Sequence, residues 1–251
     1  VSSSPLGDRR RTPEMFTAIA PRYDLLNRLL SGNIDRSWRA RLVAEAGIPD
    51  GGSVLDVATG TGDVALEFAR RTRAARIVGV DPSAGMLRVG RAKIHRAGFD
   101  GRVHLVRGDA LRPPFFGDLF DAATIAFGLR NLPDFPAGVN VMARSLRPGG
   151  KMLVLEFSPP RRGVFLAAYR FYLRHVLPDA GRIVSGSREA YRYLAESIET
   201  FVNHDELAHM MQRAGLRTQP PIRLTGGIAY IHRGVCPGGA DEHDAERTHV
   251  R

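Results

Sequence analysis

The run Val54-Leu55-Asp56-Val57-Ala58-Thr59-Gly60-Thr61-Gly62-Asp63 constrains the fold most. An apolar stretch suited to a buried strand leads into glycines, which accept left-handed backbone and let a ligand approach the main chain. Gly60, Gly62 and Ala65 satisfy the G-x-G-x-x-G/A spacing of a strand-turn-helix nucleotide site, and Asp81 lies where an acidic residue would meet a ribose. Asp63, however, stands at the start of the following helix, where a pyrophosphate would seek free N–H groups and positive potential. A carboxylate there repels it. S-adenosylmethionine has no phosphate and carries a sulfonium charge plus an amino-acid end, so Asp56 and Asp63 would both favour it. A carboxylate in a helix's first turn is also favourable by itself. On this stretch alone, methyl donor and dinucleotide both stay open, with the acids favouring the donor.

At 251 residues the chain suits one domain with elaborations, able to bury a core without disulfides. The single Cys236 excludes an internal disulfide and points to a reducing compartment. No apolar run approaches the ~20 residues that span a bilayer, and the polar, Arg-rich start has no signal-peptide core, so a cytoplasmic protein is expected. The net charge of +10 suggests an anionic partner, nucleic acid or membrane head groups, or simply solvated faces built from arginine.

Residues 1–11 and 236–251 lack periodic apolar positions and are expected to be tails on a domain spanning 12–235. His243 and His249 show no metal-ligand spacing, and no metal is expected. Apolar runs at 54–58, 77–80, 103–106, 122–127 and 152–157 read as strands covered on both faces. Residues 83–97 read as a helix with Ser83 as N-cap and Gly98 as stop. Such alternation predicts an α/β fold, a doubly wound, mostly parallel sheet. Helical patterns flank it, an N-terminal cap at 12–50 and an aromatic insertion at 158–200. Asn203 with Glu206 forms a capping-box pattern for a helix ending at Gly215, and runs at 216–219 and 228–232 read as a closing antiparallel hairpin. Pro148-Gly149-Gly150-Lys151 reads as the structural turn into the fifth run.

Strand ends of an open parallel sheet form the ligand crevice. Asp56 closes in on the glycine turn, and Asp81 and Asp109 end the second and third runs. Asp81 is suited to accept both ribose hydroxyls, and Asp109 to accept from an adenine amino group while Met86 and Leu111 sandwich the ring. Each alone could be an ordinary cap or turn residue. The fourth run leads into Phe127-Gly128-Leu129-Arg130-Asn131-Leu132-Pro133, where Arg130 and Asn131 are expected to line the crevice rather than the core, a loop salt bridge or cap being the alternative.

With these residues in place, the chain from about Met15 to Gly234 resembles the C-methyltransferases of ubiquinone and menaquinone biosynthesis. The resemblance rests on Tyr23-Asp24-Leu25-Leu26-Asn27, Phe127-Gly128-Leu129-Arg130-Asn131, Leu153-Val154-Leu155-Glu156-Phe157-Ser158, Tyr191-Arg192-Tyr193-Leu194-Ala195-Glu196-Ser197-Ile198 and His232-Arg233-Gly234. It implies a class I, Rossmann-like methyltransferase using S-adenosylmethionine. The donor contacts it implies are Thr61 in the glycine turn, Asp81, Asp109, Ala110 and Ala126. Ala126 stands where the family usually has serine, so only backbone or van der Waals contact is available there.

The implied acceptor is a prenylated hydroquinone, either demethylmenaquinol, towards which the breadth of the family leans, or the methoxy-benzoquinol precursor of ubiquinone. A quinone is too electron-poor to attack a methyl group. A hydroquinol losing a phenolic proton can attack through its ortho carbon. Arg130 is expected to hold that phenolate and orient a water, Asn131 to fix the ring or water, and Tyr23 to close over the crevice. The acceptor's tail implies transient membrane-surface contact. Residues 161–182, with Phe165, Tyr169, Arg170, Tyr172 and Arg174 near helical spacing, could supply it or could pack on the sheet instead. A homodimer is left open. Nucleic-acid binding lacks zinc-finger, RRM or recognition-helix signatures, an RNA methyltransferase lacks a catalytic-cysteine motif at Cys236, and a nicotinamide reductase is disfavoured by Asp63.

Overall fold

A computed structural model describes residues 12–113, 117–158, 193, 196–198 and 201–238. It begins with helices α1 (Thr12–Ser31) and α2 (Ile34–Ala46). There follow β1 (Ser53–Val57), α3 (Asp63–Arg71), β2 (Arg76–Asp81), α4 (Ala84–Arg96), β3 (Val103–Arg107) and β4 (Phe120–Ala126). The chain continues through α5 (Phe135–Arg144), β5 (Leu146–Phe157), α6 (His204–Arg213), β6 (Arg217–Leu224) and β7 (Ala229–Val235). The strands form one seven-stranded sheet ordered β3-β2-β1-β4-β5-β7-β6. Strands β1 to β5 pair in parallel, and β7 pairs antiparallel with both β5 and β6.

Side chains alternate across a strand, and here each alternation feeds a separate apolar layer. Val54, Ala122, Leu153 and Leu155 face Trp38 and Leu42 of α2, Phe68 of α3 and Leu87 of α4. Leu55, Val57, Ala123, Ile125, Met152 and Val154 face Val139 and Met142 of α5 and Leu207 and Met211 of α6. Cover on both faces explains why these strands read as unbroken apolar runs. Each fully buried large side chain contributes about 1.5–3 kcal/mol.

The local signals act as read. Ser83 accepts from Met86 N–H at the start of α4, and Asn203 and Glu206 close a capping box on α6. Several strands exceed their apolar cores. β5 begins at Leu146 and runs through Pro148-Gly149-Gly150, so the expected turn is a bulge inside the strand, held because Gly150 O accepts from Cys236 N–H at 2.8 Å. β6 crosses Pro220-Pro221 with a register shift, which an edge strand tolerates because its outer N–H groups need no partner. The expected interfacial surface at 161–182, residues 1–11, most of 158–200 and residues 239–251 of the tail expected at 236–251 lie outside the described residues, while Cys236 of that tail is bonded to Gly149 and Gly150.

Strand order reverses between β1 and β4, and the loops leaving β1 to β4 converge on that crevice. α1 packs on α4, so residues of α1 form its roof.

Candidate active site

The glycine turn is shaped by its backbone. Ala58 (φ 50°) and Gly60 (φ 56°) are left-handed, and Thr59 N–H donates to Val80 O at 3.1 Å, tying the turn to β2. Gly60 N–H donates to Asp81 Oδ2 at 2.9 Å. Gly62 (φ 75°) caps α3 on the side of Leu105, Ile94 and Gly90, and it is absent from the lining of the two chambers of the crevice. What the structure shows for Gly62 is a role in starting the helix.

Two connected chambers occupy the crevice. The larger, about 350 Å³, takes its walls from the ends of β2, β3 and β4, with Asp81, Met86, Asp109, Ala110 and Asn131 among them. A smaller one of about 50 Å³ lies beside the glycine turn, against Arg39, Asp56, Thr61 and Asp63. Tyr23, Ala58, Gly60, Ala126 and Phe127 belong to both and mark the passage between them. Leu111, expected on the adenine ring, packs instead in the α5-side core and lines neither.

The acids differ in state because their surroundings differ. Asp56 is 1 % exposed; its Oδ2 accepts from Thr59 Oγ1 at 2.6 Å and its Oδ1 from Thr124 Oγ1 at 2.8 Å. Burial pushes its carboxyl from 3.8 up to about 6, despite the opposing threonine bonds. Burial also raises Asp81, opposed by the Ser83 and Gly60 N–H groups, each of which donates to one carboxylate oxygen. Asp109 reaches the cavity from an exposed turn, where Oδ1 accepts from Leu111 N–H at 2.9 Å.

Asp63 is not a free anion facing the ligand. It pairs with Lys93 of α4 and, at 3.5 Å, with Arg39. Burial would raise its carboxyl, but these cations overcome that and hold it below the ordinary range. Neutralised in this way, Asp63 would repel a pyrophosphate less than a free carboxylate. Lys93 Nζ also donates to Asp24 Oδ2 at 2.7 Å, and Thr61 Oγ1 donates to Asp24 Oδ1 at 2.6 Å, so α1 is fastened to the glycine turn.

Arg130 departs furthest from expectation. Its guanidinium is 5 % exposed and lines neither chamber. Nη1 pairs with Glu156 Oε2 at 2.7 Å and donates to Phe127 O at 2.7 Å, and Nε donates to Ser197 Oγ at 3.2 Å. Glu156 itself is 2 % exposed, and a buried carboxylate captures the available cation because desolvation makes an unpaired charge costly. Of the two expectations for this loop, the salt bridge is what forms, inside the core. Asn131 does line the larger chamber, with Oδ1 accepting from Tyr193 Oη at 3.2 Å. Tyr23 reaches both chambers from α1, its ring edge-on to Phe16.

Residues missed by the motif reading include Arg39 and Lys93, which carry no local pattern, and Glu156, which stood in a block without a role of its own. Phe127 was legible only as part of its block. Its left-handed backbone (φ 57°) is pinned by N–H donation to Leu155 O and by Arg130 at its carbonyl, while its ring packs on Phe157 at 4.5 Å and Trp38 at 6.0 Å. Strain of this kind persists only where the surroundings enforce it.

The sequence pattern of the ubiE/COQ5 methyltransferase family matches residues 6–236. The demethylmenaquinone methyltransferase of Deinococcus radiodurans is 46% identical over 229 residues, covering 90% of this chain and 94% of that protein. The ubiquinone/menaquinone biosynthesis C-methyltransferase UbiE of Geobacter sulfurreducens is also 46% identical, covering 91% of this chain and 88% of its own. Among solved structures, a SAM-dependent methyltransferase from Aquifex aeolicus superposes with a TM-score of 0.58 at 15% identity, covering 79% of this chain and 89% of the other. That likeness establishes the fold alone.

Proposed function

The chain belongs to the ubiE/COQ5 methyltransferase family, and from that premise we propose that it transfers the methyl group of S-adenosylmethionine to a ring carbon of a prenylated hydroquinone. Demethylmenaquinol is the acceptor we favour, in line with the Deinococcus relative; the name of the Geobacter relative keeps the ubiquinone precursor as the second reading. The observation that carries the proposal is a single cavity wall in which Asp81, Asp109 and Met86 stand with Asn131 and Phe127. Donor and acceptor sides therefore share one chamber.

In this reading Asp81 accepts from the ribose hydroxyls, Asp109 from the adenine amino group, and Met86, Ala110 and Ala126 pack on the nucleoside. Gly60, Thr61 and Asp56 surround the amino-acid end. The acceptor enters beside Tyr23 and Asn131 with its ring near Phe127. Loss of a phenolic proton puts charge on the ortho carbon, which attacks the methyl about 3 Å away and in line with sulfur. The C–S bond electrons return to sulfur, S-adenosylhomocysteine leaves, and loss of the ring proton restores aromaticity. Asn131 is the side chain placed to hydrogen-bond the phenolate. Arg130 becomes a positioning residue, since its charge is committed to Glu156 and its bond to the Phe127 carbonyl sets the loop. The prenyl tail calls for transient contact with a membrane surface, which a chain of net charge +10 would find on anionic lipid.

The test is transfer of labelled methyl from S-adenosylmethionine to chemically reduced demethylmenaquinol and, in parallel, to the reduced ubiquinone precursor, with both oxidised quinones as controls. Label in demethylmenaquinol alone is expected. Label in the precursor alone would reassign the pathway, and label in an oxidised quinone would overturn the mechanism.

A further inference from the structure

The small chamber contains a cation, Arg39, with no part in the mechanism proposed for methyl transfer. Arg39, on α2, is 11% exposed and is the one lysine or arginine lining either chamber among the described residues. It is held from two sides. Asp35, one helical turn earlier, pairs with Nη1 at 2.6 Å, and Asp63 at the start of α3 pairs with the same atom at 3.5 Å. A guanidinium presents five N–H donors in a rigid fork. Among the described residues, both ion pairs use Nη1, which leaves Nε and Nη2 without a protein partner. The two carboxylates thus fix the side chain without exhausting it.

The chamber's size and charges limit what it can take. At about 50 Å³ it has room for only a few water-sized groups, each occupying about 10–15 Å³ on this scale, and is far too small for a nucleoside. Asp56 and Asp63 line it as well, and since Asp63 is already paired with Lys93 and Arg39, the chamber offers a cation together with the Asp56 carboxylate. The matching ligand fragment is a zwitterion. It communicates with the larger chamber at Gly60 and Ala126, where the sulfur of a donor seated against Asp81 would come. Resting on the donor reading given above, we propose that Arg39 binds the α-carboxylate of the donor's amino-acid end and thereby selects ligands that carry that group.

Calorimetric titration of the full chain with S-adenosylhomocysteine and with 5′-methylthioadenosine tests this, because the second ligand keeps the nucleoside and thioether and lacks the amino acid. The wild type is expected to prefer S-adenosylhomocysteine. Arg39→Met should weaken that ligand by about tenfold or more and leave 5′-methylthioadenosine unchanged, and Arg39→Lys should restore part of the loss. Equal losses on both ligands would assign Arg39 a structural role only, and no loss on either would equally overturn the proposal. Should Arg39→Met not fold, the wild type decides with the carboxamide of S-adenosylhomocysteine: binding as tight as the acid overturns the assignment, and binding about tenfold weaker supports it. A wild type that binds neither ligand would instead sink the donor reading, and this proposal with it.

Discussion

Asp56 sets activity against stability within one side chain. Its folded carboxyl keeps a proton to about pH 6, whereas the ordinary value is 3.8. The native state therefore binds that proton more tightly than the unfolded chain. The resulting stabilisation is complete below about pH 3.8 and is lost as pH rises through about 6. At neutral pH the ionised group costs the fold up to about 3 kcal/mol. Asp56→Asn, which can keep both threonine contacts, should raise the melting temperature of the unliganded protein near neutral pH, as read by scanning calorimetry. The same variant should bind S-adenosylhomocysteine about tenfold more weakly at neutral pH if the carboxylate holds the ligand's ammonium group. Wild-type affinity, measured by titration from about pH 5 to about pH 8, should fall on the acid side of the Asp56 titration, and the variant's should stay flatter. Asp56 was legible in the sequence because it ends an apolar strand at a glycine turn. Its altered ionisation was not, because that depends on what packs over it.

At the scale of elements, the site depends on how closely α4 approaches the glycine turn. A Cβ at Gly90 would lie 2.6 Å from Leu105 Cδ1 and 3.1 Å from both the carbonyl carbon and oxygen of Thr61. The leucine tip can rotate away, but the Thr61 backbone can yield only by moving the turn. Gly90→Ala should thus leave far-UV circular dichroism nearly unchanged while weakening S-adenosylhomocysteine binding about tenfold in a calorimetric titration, consistent with overpacking costs of about 1–3 kcal/mol. The loop after β4 carries the complementary lesson. Its glycine and proline marked it as irregular and placed Asn131 correctly on the crevice. Arg130, one residue earlier, turns inward because Glu156 of β5 lies buried beneath it. The run 152–157, apolar but for Glu156, gave no hint that its one acid would demand a counter-ion from the neighbouring loop.

At the scale of the whole molecule, the doubly wound sheet gathers the loops after β1, β2, β3 and β4 over one crevice, and α1 roofs it through Pro13, Phe16 and Tyr23. No helix among the described residues is long and apolar enough to cross a membrane. The net charge of +10 predicts co-sedimentation with anionic vesicles that weakens steeply as salt rises from about 50 mM to about 500 mM. Retention independent of salt would point to apolar insertion instead. Strand identity, helix caps, the glycine turn and the acids at strand ends were set by sequence alone, because each depends on residues within one or two turns of chain. Tertiary structure decided which charges neutralise one another. Asp24 meets Lys93 across 69 positions, Asp63 meets Lys93 across 30 and Arg130 meets Glu156 across 26. Such pairs form where folding strips water from both partners, and desolvation is a property of the packed whole that no local pattern encodes.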